Sequence, residues 1–252
     1  MKVGIIGVGK VGSAVAYGLR RINHDVLLHD IKLDTKIYDV LPAPIIFVCV
    51  PTPTVDDRCD SSAVENVIED LAAVHYTGLV VIKSTVLPGT TDSLRDRHGL
   101  RLAFCPEFLR ERAAFSDFVE DHHVCIGGVY DRKDFTLIRE AHGSLPNWFV
   151  QLTPTEAELA KYFGNVFNAL RIVFACQFYD VCQKMGADYT AIKSAMLNRH
   201  NIGDYYLDAN AQLRGFGGSC LPKDTAAFAS FVASLGLNAP LFKTIVDINK
   251  GM

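Results

Sequence analysis

The run Lys2-Val3-Gly4-Ile5-Ile6-Gly7-Val8-Gly9-Lys10-Val11-Gly12 decides the fold. Lys2 to Ile6 predicts a short buried strand, and the residues beyond the glycines carry a helical pattern to about Arg21. Between them the glycines are spaced Gly-x-Gly-x-x-Gly. At a strand-to-helix turn that spacing permits a tight bend, lets backbone approach a pyrophosphate, and aims a helix N-terminus at its charge. A second predicted strand, Asp25 to His29, ends at Asp30, 18 residues after Gly12. An acid there hydrogen-bonds a ribose 2′-hydroxyl and repels a 2′-phosphate, so NAD is expected rather than NADP. The bland alternative is a glycine-rich turn beside a surface aspartate.

Further strands are predicted at Ile45–Val50, Leu79–Lys83, Leu102–Cys105, His123–Ile126 and Trp148–Gln151. Helices are predicted at about Ser61–His75, Thr90–His98 and Asp131–Ala141. The alternation implies an α/β doubly wound, mostly parallel, Rossmann-like sheet covered on both faces. After Gln151 the pattern changes. Thr153 as N-cap, Pro154 at the first helical position and Glu156 three residues from the cap open a helix that runs to Met185, where Gly186 stops it. Shorter helices follow at Tyr189–Leu197 and Lys223–Leu235. The expected domains are 1–152, nucleotide-binding, and 153–252, all-helical.

The 252 residues carry a formal net charge of −3, which gives no electrostatic case for nucleic acid or an anionic membrane as partner. No apolar run approaches the ~20 residues of a membrane span. Seven cysteines, widely spaced and with no C-x-x-C pair, argue against a zinc site and for a reducing compartment. Met1 leads straight into a strand without a signal-peptide layout. A cytoplasmic protein with no metal is the expectation.

Chemistry concentrates late in the chain, in Gly215-Phe216-Gly217-Gly218-Ser219-Cys220-Leu221-Pro222-Lys223-Asp224. A buried cysteine is usually a small hydrophobe, which suits Cys49, Cys125 and Cys176. Cys220 differs: glycines precede it, and a cation and an acid follow. A cation beside a thiol favours the thiolate, so Cys220 reads as a nucleophile. Lys161 and Asn165, spaced i and i+4, share one face of the long helix. Thr85 and Glu107 each follow a strand, where open α/β sheets bind ligands. Glu111 lies four residues beyond Glu107.

Six stretches in order resemble the UDP-glucose/GDP-mannose (nucleotide-sugar) dehydrogenase family. They are the glycine turn, Val50-Pro51-Thr52-Pro53, Lys83-Ser84-Thr85-Val86, Pro106-Glu107-Phe108-Leu109-Arg110-Glu111, Glu156-Ala157-Glu158-Leu159-Ala160-Lys161 with Asn165, and the Cys220 turn. The resemblance implies oxidation of a sugar primary alcohol to a carboxylate with two NAD⁺, most consistent with UDP-glucose. It implies that Cys220 carries a thiohemiacetal and then a thioester. Lys161 and Asn165 would stabilise oxyanions, Asp224 and Glu111 would assist water and proton transfers, Thr85 would hold a water, and Glu107 would sit near the sugar. Cofactor contacts would come from Gly7, Gly9, Lys10, Val11, Gly12, Asp30, Val50, Pro51, Thr52, Thr85 and Lys223. Substrate contacts would come from Phe108, Leu109, Arg110, Lys161, Asn165, Phe216 and Gly217. Lys223 would steady the thiolate or the substrate. The long helix would form a homodimer core.

The chain also departs from that family. The 252 residues hold no counterpart of the family's third, dinucleotide-like domain, and only 14 residues separate Asp30 from Ile45 where the family carries a longer insertion. The family's Arg-Ile-Gly reads Asn201-Ile202-Gly203, and its Pro-Gly before the cysteine turn reads Gln212-Leu213-Arg214, leaving Arg199 or Arg214 as replacement arginines. Two other readings stay open: a single-step β-hydroxyacid-type NAD dehydrogenase, which needs no cysteine, and a non-catalytic NAD-binding remnant or partner subunit.

Overall fold

Apolar runs in the first half place strands, and the turns between them place helices. The computed structural model describes residues 1–110, 112–120 and 124–252. In chain order its elements are β1 (Lys2–Ile6), α1 (Lys10–Arg21), β2 (Asp25–His29), β3 (Ile45–Val48), β4 (Thr54–Val55), β5 (Arg58–Cys59), α2 (Ser62–Ala73), β6 (Leu79–Ile82), α3 (Thr90–His98), β7 (Leu102–Phe104), α4 (Ala114–Val119), β8 (Val124–Gly128), α5 (Arg132–His142), β9 (Trp148–Leu152), α6 (Pro154–Met185), α7 (Tyr189–Leu197), α8 (Leu221–Ser234) and α9 (Pro240–Lys250), with a 3₁₀ turn at Ile37–Asp39. The chain divides into two compact units, Met1–Val55 with Cys59–Lys161, and Asp56–Arg58 with Tyr162–Met252. The division falls inside α6.

In the first unit a seven-stranded sheet has the order β2-β1-β3-β6-β7-β8-β9. All neighbours are parallel except β7 and β8, which meet antiparallel at Phe104 and Gly128. Residues alternate between two cores. Val3, Ile5, Ile45, Phe47, Leu79 and Val81 enter one, while Ile46, Val48, Val80 and Ile82 enter the other. A strand buried on both faces reads as a continuous apolar run, which is why these were visible in sequence. The order reverses beside β1, so the helices that follow β1 and β3 pack on opposite faces, and such sheets take ligands beyond the C-terminal ends of the strands at that point.

The second unit is helical. Val166, Ala169 and Val173 of α6 pack with Phe216 and with Ile245 of α9. Phe228 of α8 stacks on Tyr162 at 5.2 Å and meets Phe242 edge-on at 5.1 Å. The expected start of α6 is present: the Thr153 N–H and hydroxyl both donate to Glu156 Oε2 at 2.8 Å.

Several boundaries differ from expectation. β3 ends at Val48, two residues short of the expected Val50, although the Cys49 N–H still reaches Ile6 O at 2.7 Å. β8 runs on to Gly128, and its expected start at His123 lies outside the described residues. α8 starts at Leu221, not Lys223, since a proline is tolerated in a first turn. α4 and α9 were not anticipated. Among the described residues no helix is long and apolar enough to cross a membrane.

Candidate active site

In the first unit the glycine turn has the geometry its spacing implies. Gly7 adopts φ +89° and its N–H reaches His29 O at 2.9 Å. A Cβ on Gly12 would lie 1.9 Å from Gly7 O, so only glycine lets α1 approach the turn. A Cβ on Gly9 would meet nothing within 4 Å. The space that Gly9 leaves open suits a phosphate, and α1 has no acidic residue in its first turn to oppose one. Asp30 Oδ2 accepts from Val8 N–H at 2.6 Å and Oδ1 from Lys32 N–H at 2.8 Å. Those two bonds, Lys32 first, hold its carboxyl below the usual range, so it presents negative charge to an approaching ribose. The residues fit NAD. Val50 and Pro51 follow β3 with the buried Thr52, and the Ser84 hydroxyl donates to Val50 O at 2.6 Å, tying the end of β6 to that segment.

Thr85, beyond β6, is buried. Glu107, beyond β7, accepts from Leu109 N–H at 2.7 Å. Lys161 of α6 is buried, and its Nζ donates to Glu107 O at 2.5 Å and Oε1 at 3.1 Å. The Phe108 ring lies 5.5 Å from the same ammonium. The structure thus brings Glu107, Phe108 and Lys161 together across 54 residues of sequence. Arg110 is held by Asp117, its Nη2 donating at 2.6 Å. Glu111 lies outside the described residues.

Glu158, one turn before Lys161, was not singled out from sequence. It is fully buried and accepts from Gly89 N–H at 2.6 Å, Thr91 N–H at 2.9 Å and the Thr91 hydroxyl at 2.6 Å, capping α3. Burial nevertheless pushes its carboxyl up to about 7. A raised folded value stabilises fully below the unfolded value near 4.5, and that stabilisation is lost as pH rises through 7. Glu158→Gln should therefore flatten the fall in unfolding free energy between pH 5 and 8, by at most about 3 kcal/mol. Parallel pH dependences for the two proteins in urea unfolding would contradict this.

Cysteine spacing missed a second cluster in this unit. Cys105, Cys125 and His142 bring their sulfur and imidazole atoms within 4.8 Å of one another in the core. Lys83 Nζ donates to Cys105 Sγ at 3.3 Å and Cys105 O at 3.1 Å. The sheet and α5 assemble this group from residues 17 or more apart, beyond any local motif search.

In the second unit Cys220 is the N-cap of α8, where negative charge is stabilised by the helix terminus. Its Sγ lies 3.5 Å from Ser219 Oγ. Asp224, in the first turn, is buried and bridges two donors: Asn165 Nδ2 to Oδ2 and Lys223 Nζ to Oδ1, both at 2.6 Å. Lys223 is thus engaged with Asp224. Phe216 is buried, and Asn249 of α9 bonds its backbone twice. Asn249 was not singled out either, because α9 was not. Arg214 donates to Asp180 Oδ2 at 2.6 Å and Cys176 O at 3.1 Å, so this candidate replacement arginine is committed to α6.

The NAD-binding-domain model of the UDP-glucose/GDP-mannose dehydrogenase family matches residues 32–144, beginning just after the glycine turn and Asp30. That family's central-domain model matches residues 155–251. UDP-glucose 6-dehydrogenase AglM of Haloferax volcanii is 31% identical over 305 residues, covering 100% of this chain and 70% of that protein. A UDP-glucose dehydrogenase structure from Pyrobaculum islandicum superposes with a TM-score of 0.90 at 29% identity, over 99% of this chain and 68% of that one. The fold is also that of 3-hydroxyisobutyrate dehydrogenase from Mycobacterium tuberculosis, with a TM-score of 0.81 at 14% identity, over 99% of this chain and 92% of that one.

Proposed function

The chain belongs to the UDP-glucose/GDP-mannose dehydrogenase family, and from that premise we propose that it oxidises the C6 alcohol of a nucleotide sugar, UDP-glucose foremost, to the carboxylate. The observation that carries the reading is Cys220 at the N-terminus of α8, four residues before a buried Asp224 that Asn165 and Lys223 hold. A single-step alcohol dehydrogenase has no use for that cysteine. UDP-glucose is favoured by the named activity of the Haloferax and Pyrobaculum relatives.

NAD, bound at the Gly7–Gly12 turn and Asp30, supplies the hydride acceptor, and the reaction consumes two. The chain's own side chains manage protons, charge and the aldehyde. The C6 hydroxyl loses its proton and C6 loses a hydride, giving the aldehyde. The Cys220 sulfur adds to that carbon and gives a thiohemiacetal. Loss of the thiohemiacetal hydroxyl proton and of a second hydride from the same carbon leaves a thioester. Water adds to the acyl carbon, the C–S bond breaks, and carboxylate and free thiol result. The ammonium of Lys161 and the amide of Asn165 are suited to the oxyanions of these steps. Asp224 and Glu111 are assigned proton transfer to and from water, and Thr85 a bound water. Glu107 orients Lys161, with Phe108, Leu109, Arg110, Phe216 and Gly217 assigned to the substrate.

The test is NADH formation with UDP-glucose, GDP-mannose and UDP-N-acetyl sugars offered singly. NADH with UDP-glucose above the others supports the reading; none with any of them removes it.

A homodimer through α6 is part of the same proposal. Phe163 and Met185 on this helix are 74% and 76% exposed in the single chain, and Phe167, Phe174, Phe178 and Val181 are exposed with them. So long an apolar stripe is costly in water and suits a second copy. Sedimentation should return twice the 27.7 kDa chain mass; the mass of one chain would end this part of the proposal.

A further inference from the structure

We propose that Asn249 is the positioning residue of the Cys220 turn. The inference rests on the reading of Cys220 as the nucleophile. The turn is poorly suited to hold its own shape. Gly215 and Gly218 adopt φ +61° and +79°, and side chains added at Gly217 or Gly218 would meet nothing within 4 Å. Glycine-rich backbone loses more freedom on ordering than any other, so an outside tether is required. Asn249 supplies it. Its Oδ1 accepts from Phe216 N–H at 2.6 Å, and its Nδ2 donates to Phe216 O at 3.0 Å. One primary amide thus satisfies both backbone groups of the residue four positions before Cys220. No other residue type of that size offers a donor and an acceptor in this arrangement.

Gly215 is the second half of the device. A Cβ there would lie 2.7 Å from Asn249 Oδ1. The left-handed glycine therefore gives the amide room as well as turning the chain. On the other side of the turn, Gly215 N–H meets Cys176 Sγ at 3.3 Å. Phe216 itself is buried against α6 and α9 and fixes the depth of the turn. Asn249 sits in the last turn of α9, so it lies 29 residues beyond the cysteine it serves.

The experiment compares wild type with Asn249→Asp and Asn249→Ala. Asp has the same shape and keeps the acceptor, so no cavity is opened, but it sets a carboxylate oxygen against Phe216 O, so half the bracket is lost. The first readout is the rate at which iodoacetamide alkylates Cys220, followed by peptide mass spectrometry, which requires no turnover. Loss of a hydrogen bond predicts a shift of at least about fivefold, the factor equivalent to ~1 kcal/mol. The second readout is NADH per UDP-glucose, which should fall from two toward one while NAD affinity stays within about twofold of wild type, because the cofactor turn is not touched. Adding Gly215→Ala to Asn249→Ala should change the alkylation rate by less than Gly215→Ala does alone, since the part of its effect that comes from crowding the Asn249 amide is already lost while the strain of its left-handed backbone remains. An alkylation rate within twofold of wild type in Asn249→Asp overturns the proposal, as does full additivity of Gly215→Ala. If wild type forms no NADH with any nucleotide sugar, the proposed function fails, and the alkylation rates still decide the role of Asn249.

Discussion

Cys220→Ala is expected to oxidise UDP-glucose once and stop. The alanine removes the sulfur that holds the aldehyde, so the second hydride has no thiohemiacetal to leave from. The first oxidation relies on the cofactor turn, on Asp30 and on Lys161, none of which the substitution touches. Carboxylate formation should fall by at least about a thousandfold, as when a covalent nucleophile is deleted from a working constellation. Cys220→Ser should behave alike, because a hydroxyl is a poorer nucleophile and leaving group than a thiol. Assaying aldehyde and carboxylate separately makes the test specific. Undiminished carboxylate from Cys220→Ala would remove the covalent mechanism and favour single-step chemistry on the same fold.

The second large effect is on stability and lies in the first unit. Cys105→Ala is expected to cost about 3–5 kcal/mol, the penalty for stranding a buried charge. Lys83 is almost fully buried, and among the described residues no carboxylate pairs with it within 4.0 Å. Burial works against its charge, but the neighbouring sulfurs of Cys105, Cys125 and Cys49 outweigh it and hold the ammonium above the usual lysine value. The hydrogen bond from Cys125, with Lys83 adding to it against burial, holds the Cys105 thiol well below its usual range. Both directions favour an ammonium–thiolate pair across the 3.3 Å between Nζ and Sγ, with the Phe47 ring 5.4 Å from Nζ. Lys83→Met should cost less, under about 2 kcal/mol, because Cys105 then reverts to a neutral thiol and no charge is stranded. Urea unfolding of the two variants separates these cases. Equal costs, or a loss under about 1 kcal/mol for Cys105→Ala, would contradict the pair. Lys83 directly precedes Ser84 and Thr85, and Cys105 directly precedes Pro106 and Glu107, so the pair also fastens the strand ends that carry the proposed site residues Thr85 and Glu107.

Much of the fold was legible because the chain states it locally. The central strands are continuous apolar runs, and the Thr153-Pro154-Thr155-Glu156 start of α6 is a signal contained in four residues. α9 was overlooked although Pro240 and the helical spacing of Phe242, Ile245 and Ile248 announce it; α4, with six residues, is too short to show a period. The arrangement within each unit was less legible, since it depends on long-range partners. Asn165 bonds Asp224 across 59 residues, Lys161 bonds Glu107 across 54, and Asn249 bonds Phe216 across 33. Sequence spacing marked Lys161, Asn165 and Asp224 individually but said nothing of which would pair. Arg214 illustrates the opposite limit: its position before the cysteine turn made it a candidate replacement for the family's missing arginine, while its guanidinium bonds Asp180.

A four-electron oxidation at one carbon fixes the number of NADH released per UDP-glucose at completion, with sugar limiting and NAD in excess. Two NADH per sugar is the predicted result. One NADH per sugar, with aldehyde accumulating, would rule out the second oxidation.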